Sequence, residues 1–258
     1  RRSSDLSWDP EAPGLFDALQ AMASSVAGLS VTLGWVTPSE EIVMARLREI
    51  AEAAWRTELH TPQALLESYK VMRIGPDEIA QHRDGLSLND PLTRAVSALG
   101  LFDRSRASAP DSFEVQAQIR QFKDKIAKTP AFLWLKTDDN ARSTQLLAGR
   151  AYARLQLMAT AHGLAMHPLS QALQEYPEQA PHRQALHALL GATEPGETVQ
   201  MWARLGYAPP ASPAPPAARL LSGRSRKLSP FSWPEFRSRM RMRRQPCRAP
   251  PVTPPLRP

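Results

Sequence analysis

A chain of 258 residues that is 42% apolar and 22% charged lies within ordinary globular usage, which excludes wholesale disorder. It has no apolar run of roughly 18 residues, so a membrane-spanning helix is excluded, and its one cysteine, Cys247, excludes an intrachain disulfide and a cysteine metal cage. The net charge of +7 is uneven: from Ala211 onward stand eleven Lys/Arg and one acid, Glu235, so this tail carries +10 and residues 1–210 carry −3.

Arg1-Arg2-Ser3-Ser4-Asp5 has no apolar stretch behind it, so the start does not read as a signal peptide. Residues 1–14 read as a linker or disordered segment. Leu15, Phe16, Leu19, Ala23 and Val26 then repeat at helical spacing and predict a helix over 15–27. Residues 29–36 alternate and are β-branched, which predicts a strand. Thr37-Pro38-Ser39-Glu40 reads as a capping box with proline at the first helical position. It opens a helix to about Arg56, with Ile42, Leu47, Ile50 and Ala54 on one face. Thr61-Pro62 opens a helix to about Met72, and Gly75-Pro76-Asp77-Glu78 opens a short one closed by Asp84-Gly85. Asn89-Asp90-Pro91 caps another, ended by Gly100. Residues 112–128 are amphipathic through Phe113, Ala117, Phe122 and Ile126.

Residues 129–137 form a near-continuous apolar run, which reads as a buried strand. A long helix follows over 143–162, ended by Gly163. Residues 168–174 read as a short helix, and 181–190 as another, ended by Gly191. Residues 198–207 read as a strand, stopped by Pro209-Pro210. Three strands among about eight helices predict an α+β fold, with helices packed on a small, mainly antiparallel sheet that reads as incomplete.

Most catalytic signatures are missing. There is no Gly-rich phosphate loop and no Gly-x-Ser-x-Gly elbow. His182 and His187 fall on different helix faces, and His162 and His167 straddle a helix end, so neither pair suits a metal. His82-Arg83-Asp84-Gly85 reads as a basic helix exit and a turn, in preference to a ligand contact. Gly149 and Ala151 permit close approach to the long helix. Arg150 and Arg154 share a helix face, free to meet a ligand or to cap Asp138, Asp139 or Glu175. After Gly163, Leu164 to Gln171 mixes apolar residues with His, Ser and Gln donors ahead of a helix N-terminus, which suits a ligand wall.

The order of these segments resembles the second half of a flavin-dependent nitroreductase-family protein, in the large, internally duplicated subgroup. The stretch that carries the resemblance is strand 130–137, helix 146–161, Gly163-Leu164, His167-Pro168-Leu169-Ser170-Gln171, and a late strand ending Leu205-Gly206-Tyr207-Ala208-Pro209. Arg73-Ile74-Gly75-Pro76-Asp77-Glu78-Ile79 and Arg83-Asp84-Gly85-Leu86 have counterparts there too. The resemblance spans residues 15–210. It implies a nitroreductase-like α+β domain, FMN as cofactor, and hydride transfer from NAD(P)H to the flavin and on to a nitro or quinone acceptor. Its alternative is a non-catalytic FMN-sequestering protein or an inactive fragment. It further implies His167, Pro168, Leu169, Ser170 and Gln171 as the flavin-binding segment. Leu169 and Ser170 would stand nearest the ring through backbone N–H groups. A second nitroreductase module and a cytoplasmic location are also implied. The family's Arg-Ser-x-Arg phosphate grip and Ser/Asn-Gln-Pro-Trp contact do not occur, and the first arginine after the late strand is Arg219.

The tail 211–258 is rich in Pro, Arg, Ala and Ser without periodicity, and reads as a disordered extension or a shifted reading frame. Its arginine run at 237–244 can meet phosphates only nonspecifically, so nucleic acid is not the expected partner.

Overall fold

Two helices expose an apolar residue that the simplest reading of their sequence buries, and both differences have the same geometric origin. In the computed structural model, which describes residues 14–82, 84–100 and 102–207, helix α1 (Leu15–Val26) is followed by strand β1 (Thr32–Val36) and helix α2 (Glu41–His60). The Thr37–Glu40 segment is a turn ahead of α2. The Thr37 hydroxyl pairs with the Ser39 hydroxyl at 2.9 Å, and the Thr37 N–H reaches Glu40 Oε2 at 3.4 Å. With the capping hydroxyl spent on Ser39, Pro38 stays outside the helix. The buried stripe of α2 runs through Met44, Leu47, Ala51, Ala54 and Glu58. Ile42 sits two residues before it, about 200° around the helix, and is 87% exposed. Phe113 stands in the same relation to Val115, Ile119 and Ile126 on helix α6 (Phe113–Ala127), and it too is exposed.

Helix α3 (Pro62–Lys70) leads into a small parallel ribbon of β2 (Met72–Ile74) and β3 (Leu86–Leu88), joined by helix α4 (Gly75–His82). Three-residue strands carry too little period to be read from sequence. Helix α5 (Pro91–Ala98) has the cap its sequence promised, with Asp90 Oδ1 accepting from Thr93 N at 2.8 Å. Strand β4 (Ala131–Thr137), helix α7 (Arg142–Ala161), strand β5 (Leu164–Pro168), helix α8 (Ala180–Leu189) and strand β6 (Thr198–Tyr207) complete the order. A single 3-10 turn at Gln171–Leu173 stands where a short helix is predicted over 168–174, and a second follows at Pro177–Gln179. The described residues belong to one unit, Arg1–Ala217. The tail 211–258, Arg83, the predicted linker up to residue 13, and Ala208-Pro209 lie outside them.

The fold is α+β. Its main sheet has the order β1-β4-β6-β5, with every pair antiparallel. The partner that a three-strand reading left wanting is β5, read from sequence as loop. It is an edge strand with Pro168 at its end, where the missing N–H breaks no ladder. β4 is buried on both faces, and its side chains alternate between two cores. Phe132 joins α2, α8 and the first 3-10 turn, while Leu133 and Leu135 join α1 and α7. On β6 the register skips Gln200, because Lys136 pairs Val199 and Leu135 pairs Met201. That bulge lets Val199 and Trp202, three residues apart, share one core. Trp202 stacks on Phe132 at 5.7 Å between ring centroids. A third cluster, Leu59, Leu65, Tyr69, Val115 and Ile119, joins the end of α2 to α3 and α6. Gly34 faces Trp134 across the β1–β4 pair, and a Cβ there would fall inside the indole.

Candidate functional site

The segment singled out from sequence begins where α7 ends. Gly163 takes φ 74°, open to glycine at little cost, and turns the chain into β5. β5 then runs beside β6 with Leu164 opposite Tyr207, Ala165 opposite Gly206 and His167 opposite Arg204. Pro168 is exposed, Leu169 is 2% exposed, and Ser170 is exposed. The Leu169 N–H donates to Trp202 O at 3.0 Å. It is therefore part of the sheet and not a donor to a ligand, and its side chain packs with Phe132 and Ala172 in the core. Alternation along the strand sends Leu164 and Met166 into the core shared with α1 and α7 and Leu169, an odd number of residues on, into the opposite core with Phe132, while Pro168 and Ser170 are left at the surface. Gln171 is half-buried and lies against Glu58.

His167 is half-buried, and its Nδ1 has no hydrogen-bond partner. Burial, then the nearby charges of Arg204 and Lys125, hold its pKa down at about 4. The ring is therefore neutral at pH 7. Arg204 is itself buried and donates to Lys125 O at 3.1 Å.

The other sequence candidates are placed as follows. Arg154 donates to Ser25 O at 3.3 Å, and Arg150 is exposed; neither makes an ion pair with Asp138, Asp139 or Glu175. Ala151 is fully buried against α1, whereas Gly149 is exposed, with open space about it. His82 ends α4, and Asp84 accepts from Arg73 at 3.0 Å, so this corner is a structural turn. His182 Nε2 meets Thr57 Oγ1 at 2.9 Å. His187 Nδ1 lies 2.9 Å from Arg183 O while Nε2 accepts from Val199 N at 3.2 Å, which places its proton on Nδ1. Among the described residues no three His, Cys, Asp or Glu are grouped to hold a metal, and no helix is long and apolar enough to cross a membrane.

A larger feature escaped the sequence reading. A cleft of about 810 Å³ opens between the end of α2, helix α3 and residues 173–178. Glu58 is 7% exposed on its floor, accepting from Ser68 Oγ at 3.2 Å through Oε1. Oε2 has no hydrogen-bond partner. Burial raises the Glu58 pKa, more than Gln171 and Ser68 together lower it. Tyr176 stands in the wall, with its hydroxyl accepting from Gln179 Nε2 at 3.1 Å, and the same amide group donates to Ala54 O at 2.8 Å. The signal was present in the sequence: Glu58 occupies the next position of the apolar stripe after Ala51 and Ala54, where an acid must either be buried or break the helix face.

No family model and no curated protein matches the chain. Solved structures do. The chain is similar to nitroreductase-type flavoproteins. One is iodotyrosine deiodinase bound to FMN and 3-iodo-L-tyrosine, at 14% identity over 85% of this chain and 92% of that one, TM-score 0.45. A second is the FMN-dependent nitroreductase NfnB from Mycobacterium smegmatis in complex with NADPH, at 19% identity over 81% and 84%, TM-score 0.44. A third is the FMN- and NADPH-dependent nitroreductase NfnB from sphigopyxis sp. strain HMH, at 16% identity over 87% and 96%, TM-score 0.46.

Whether the residues present fit FMN divides by surface. The Glu58 cleft does not, because its carboxylates oppose a phosphate. The Pro168–Ser170 edge carries no acid to oppose one: two small exposed side chains flank Leu169, whose own side chain lies in the core.

Proposed function

We propose that this chain is one module of an FMN-dependent oxidoreductase of nitroreductase type. The observation that supports it is a register. Gly163-Leu164 and Gly206-Tyr207, two motifs 43 residues apart on which the resemblance rests, are brought together across β5 and β6, with Leu164 opposite Tyr207. FMN, when bound, supplies hydride acceptance from NAD(P)H and onward reduction of a nitro or quinone compound.

On this reading His167, Pro168, Leu169, Ser170 and Gln171 form one wall of the flavin site. Leu169 anchors the wall through its core packing and its bond to Trp202 O. Pro168 and Ser170 offer the exposed edge. His167 and Gln171 flank it, and His167, neutral at pH 7, contributes no cationic charge there. The other wall and the phosphate contacts come from a second nitroreductase module, in a second copy or in another chain. Without these contacts a lone module forfeits several charge-assisted hydrogen bonds.

A second reading has its own support. The His167 side chain, with a pKa near 4, is a poor proton donor at pH 7, which suits a module that holds FMN without turnover. Purified full-length protein, supplied with FMN and NADPH plus a quinone, separates the two. Acceptor-dependent NADPH consumption supports the oxidoreductase; retained flavin without turnover supports the holding role; no retained flavin overturns both.

A further inference from the structure

Helix α7 buries Ala151, Leu155 and Ala159 on one side and leaves the opposite side uncovered. There Leu146 is 68% exposed and Leu157 73%, and Arg150 and Ala153 between them are exposed as well. At 3.6 residues per turn these four lie within about 60° of arc along about 16 Å of helix. Gly149 borders the same line. It stands exposed in the middle of the helix, without a positive φ, and a Cβ there would meet nothing within 4 Å. Nothing in the packing of this chain therefore asks for a glycine, a residue that weakens a helix interior. What it permits is close approach of a second backbone from outside.

Charge selects the occupant. The 20 residues of α7 include Arg142, Arg150 and Arg154 and no Asp or Glu. Arg154 is turned to α1, where it donates to Ser25 O. Arg142 and Arg150 are exposed, and neither forms an ion pair among the described residues. A second copy of α7 suits this face poorly. Antiparallel pairing about the midpoint of Leu146 and Leu157 would set the two Arg150 residues about 4–5 Å apart along the axis, with no acid on either helix to offset them.

We propose that the outer face of α7 docks an acidic amphipathic helix of a different protein chain. Carboxylates of that helix meet Arg142 and Arg150 through charge-assisted hydrogen bonds, its small residues lie against Gly149 and Ala153, and its larger apolar side chains cover Leu146 and Leu157. The proposal goes beyond the flavin reading and does not rest on it, and its test needs no FMN.

The test is fluorescence anisotropy of the full chain with a labelled helical peptide about three heptads long. The peptide carries Leu and Ala on one face flanked by Glu, and its counterpart carries Lys in place of Glu. In about 0.15 M salt the Glu peptide should bind saturably and the Lys peptide about tenfold or more weakly. Arg150→Glu should reverse that order. Gly149→Leu extends into open space in the free chain and improves helix propensity, so it folds, and it should weaken the Glu peptide by about tenfold or more by holding the two helices apart. Arg46→Gln, an exposed change on α2, should leave both affinities unchanged. Equal binding of the two peptides, or undiminished binding of the Glu peptide by Gly149→Leu, overturns the proposal. A dimer of the full chain by light scattering that Gly149→Leu dissociates also overturns it, because a second copy would then hold the face. Binding to phosphatidylserine vesicles that Arg150→Glu abolishes, with no binding of the Glu peptide, overturns it in favour of a membrane surface.

Discussion

Replacing one ring on β5 with a side chain that does not titrate should remove much of the acid sensitivity of this fold. His167 titrates near 6.5 in an unfolded chain and at about 4 in the folded one, because burial and the charges of Arg204 and Lys125 oppose its protonation. Between those values the unfolded chain binds the proton and the folded chain does not, so stability present at pH 7 is lost as pH falls through 6.5 toward 4. Lowering pH from 7 to 4.5 should cost roughly 2.5 kcal/mol through this side chain alone. His167→Gln keeps a polar group of similar length and removes the titration. Urea unfolding of both proteins at the two pH values isolates the effect, because the carboxylates contribute equally to each. Glu58 works in the opposite sense, since its raised pKa makes acid stabilising, and it too cancels in the comparison. Wild type should lose about 2.5 kcal/mol more than the variant. An equal loss in the two proteins, or a His167 ring resonance titrating near 6.5, refutes the reasoning.

Other perturbations probe the fold around the same site. Leu169→Ala removes a side chain packed with Phe132 and Ala172 and should cost about 2–5 kcal/mol in urea melts; a cost below about 1 kcal/mol would mean that Leu169 is not a core anchor. Gly34→Ala drives a methyl into the Trp134 indole, so about 1–3 kcal/mol should be lost with a change in tryptophan fluorescence; an unchanged spectrum and stability would contradict the close Gly34–Trp134 contact. Glu78 accepts from both terminal nitrogens of Arg104, at 2.8 and 3.1 Å, and from Ile74 N at 2.9 Å, which lowers its pKa to about 2. Because the pair is about one-third exposed, Glu78→Gln should cost only about 1 kcal/mol at neutral pH, a cost that fades as pH falls from 4.5 toward 2.

The sequence carried most of the helices because their ends are written in side chains. Asp90 caps α5 where expected, Ser112 caps α6 at the start of its amphipathic run, and Gly163 and Gly191 follow α7 and α8 with positive φ. β4 and β6 were legible from their apolar runs. β5 was not, because it is five residues long, follows a glycine and ends in proline, all of which mark a loop as well as they mark an edge strand. Its Leu164/Met166 alternation was the one local sign, and only pairing with β6 resolves it. The His167–Gln171 segment stood out in the sequence by composition alone, which could not show its division between core and surface, since Leu169 is drawn inward by the sheet it extends. Of the Glu58 cleft only one sign was local, an acid in the apolar stripe of α2; the cleft itself was not legible, because its lining comes from α2, α3 and residues 173–178, brought together only by packing.

The account stands or falls on flavin retention by the whole chain. Purified full-length protein, incubated with FMN and passed through gel filtration, should elute with flavin absorbance at a fixed ratio, and its melting temperature should rise with FMN concentration as binding to the native state requires. A colourless protein peak whose melting temperature does not move at saturating FMN would contradict it.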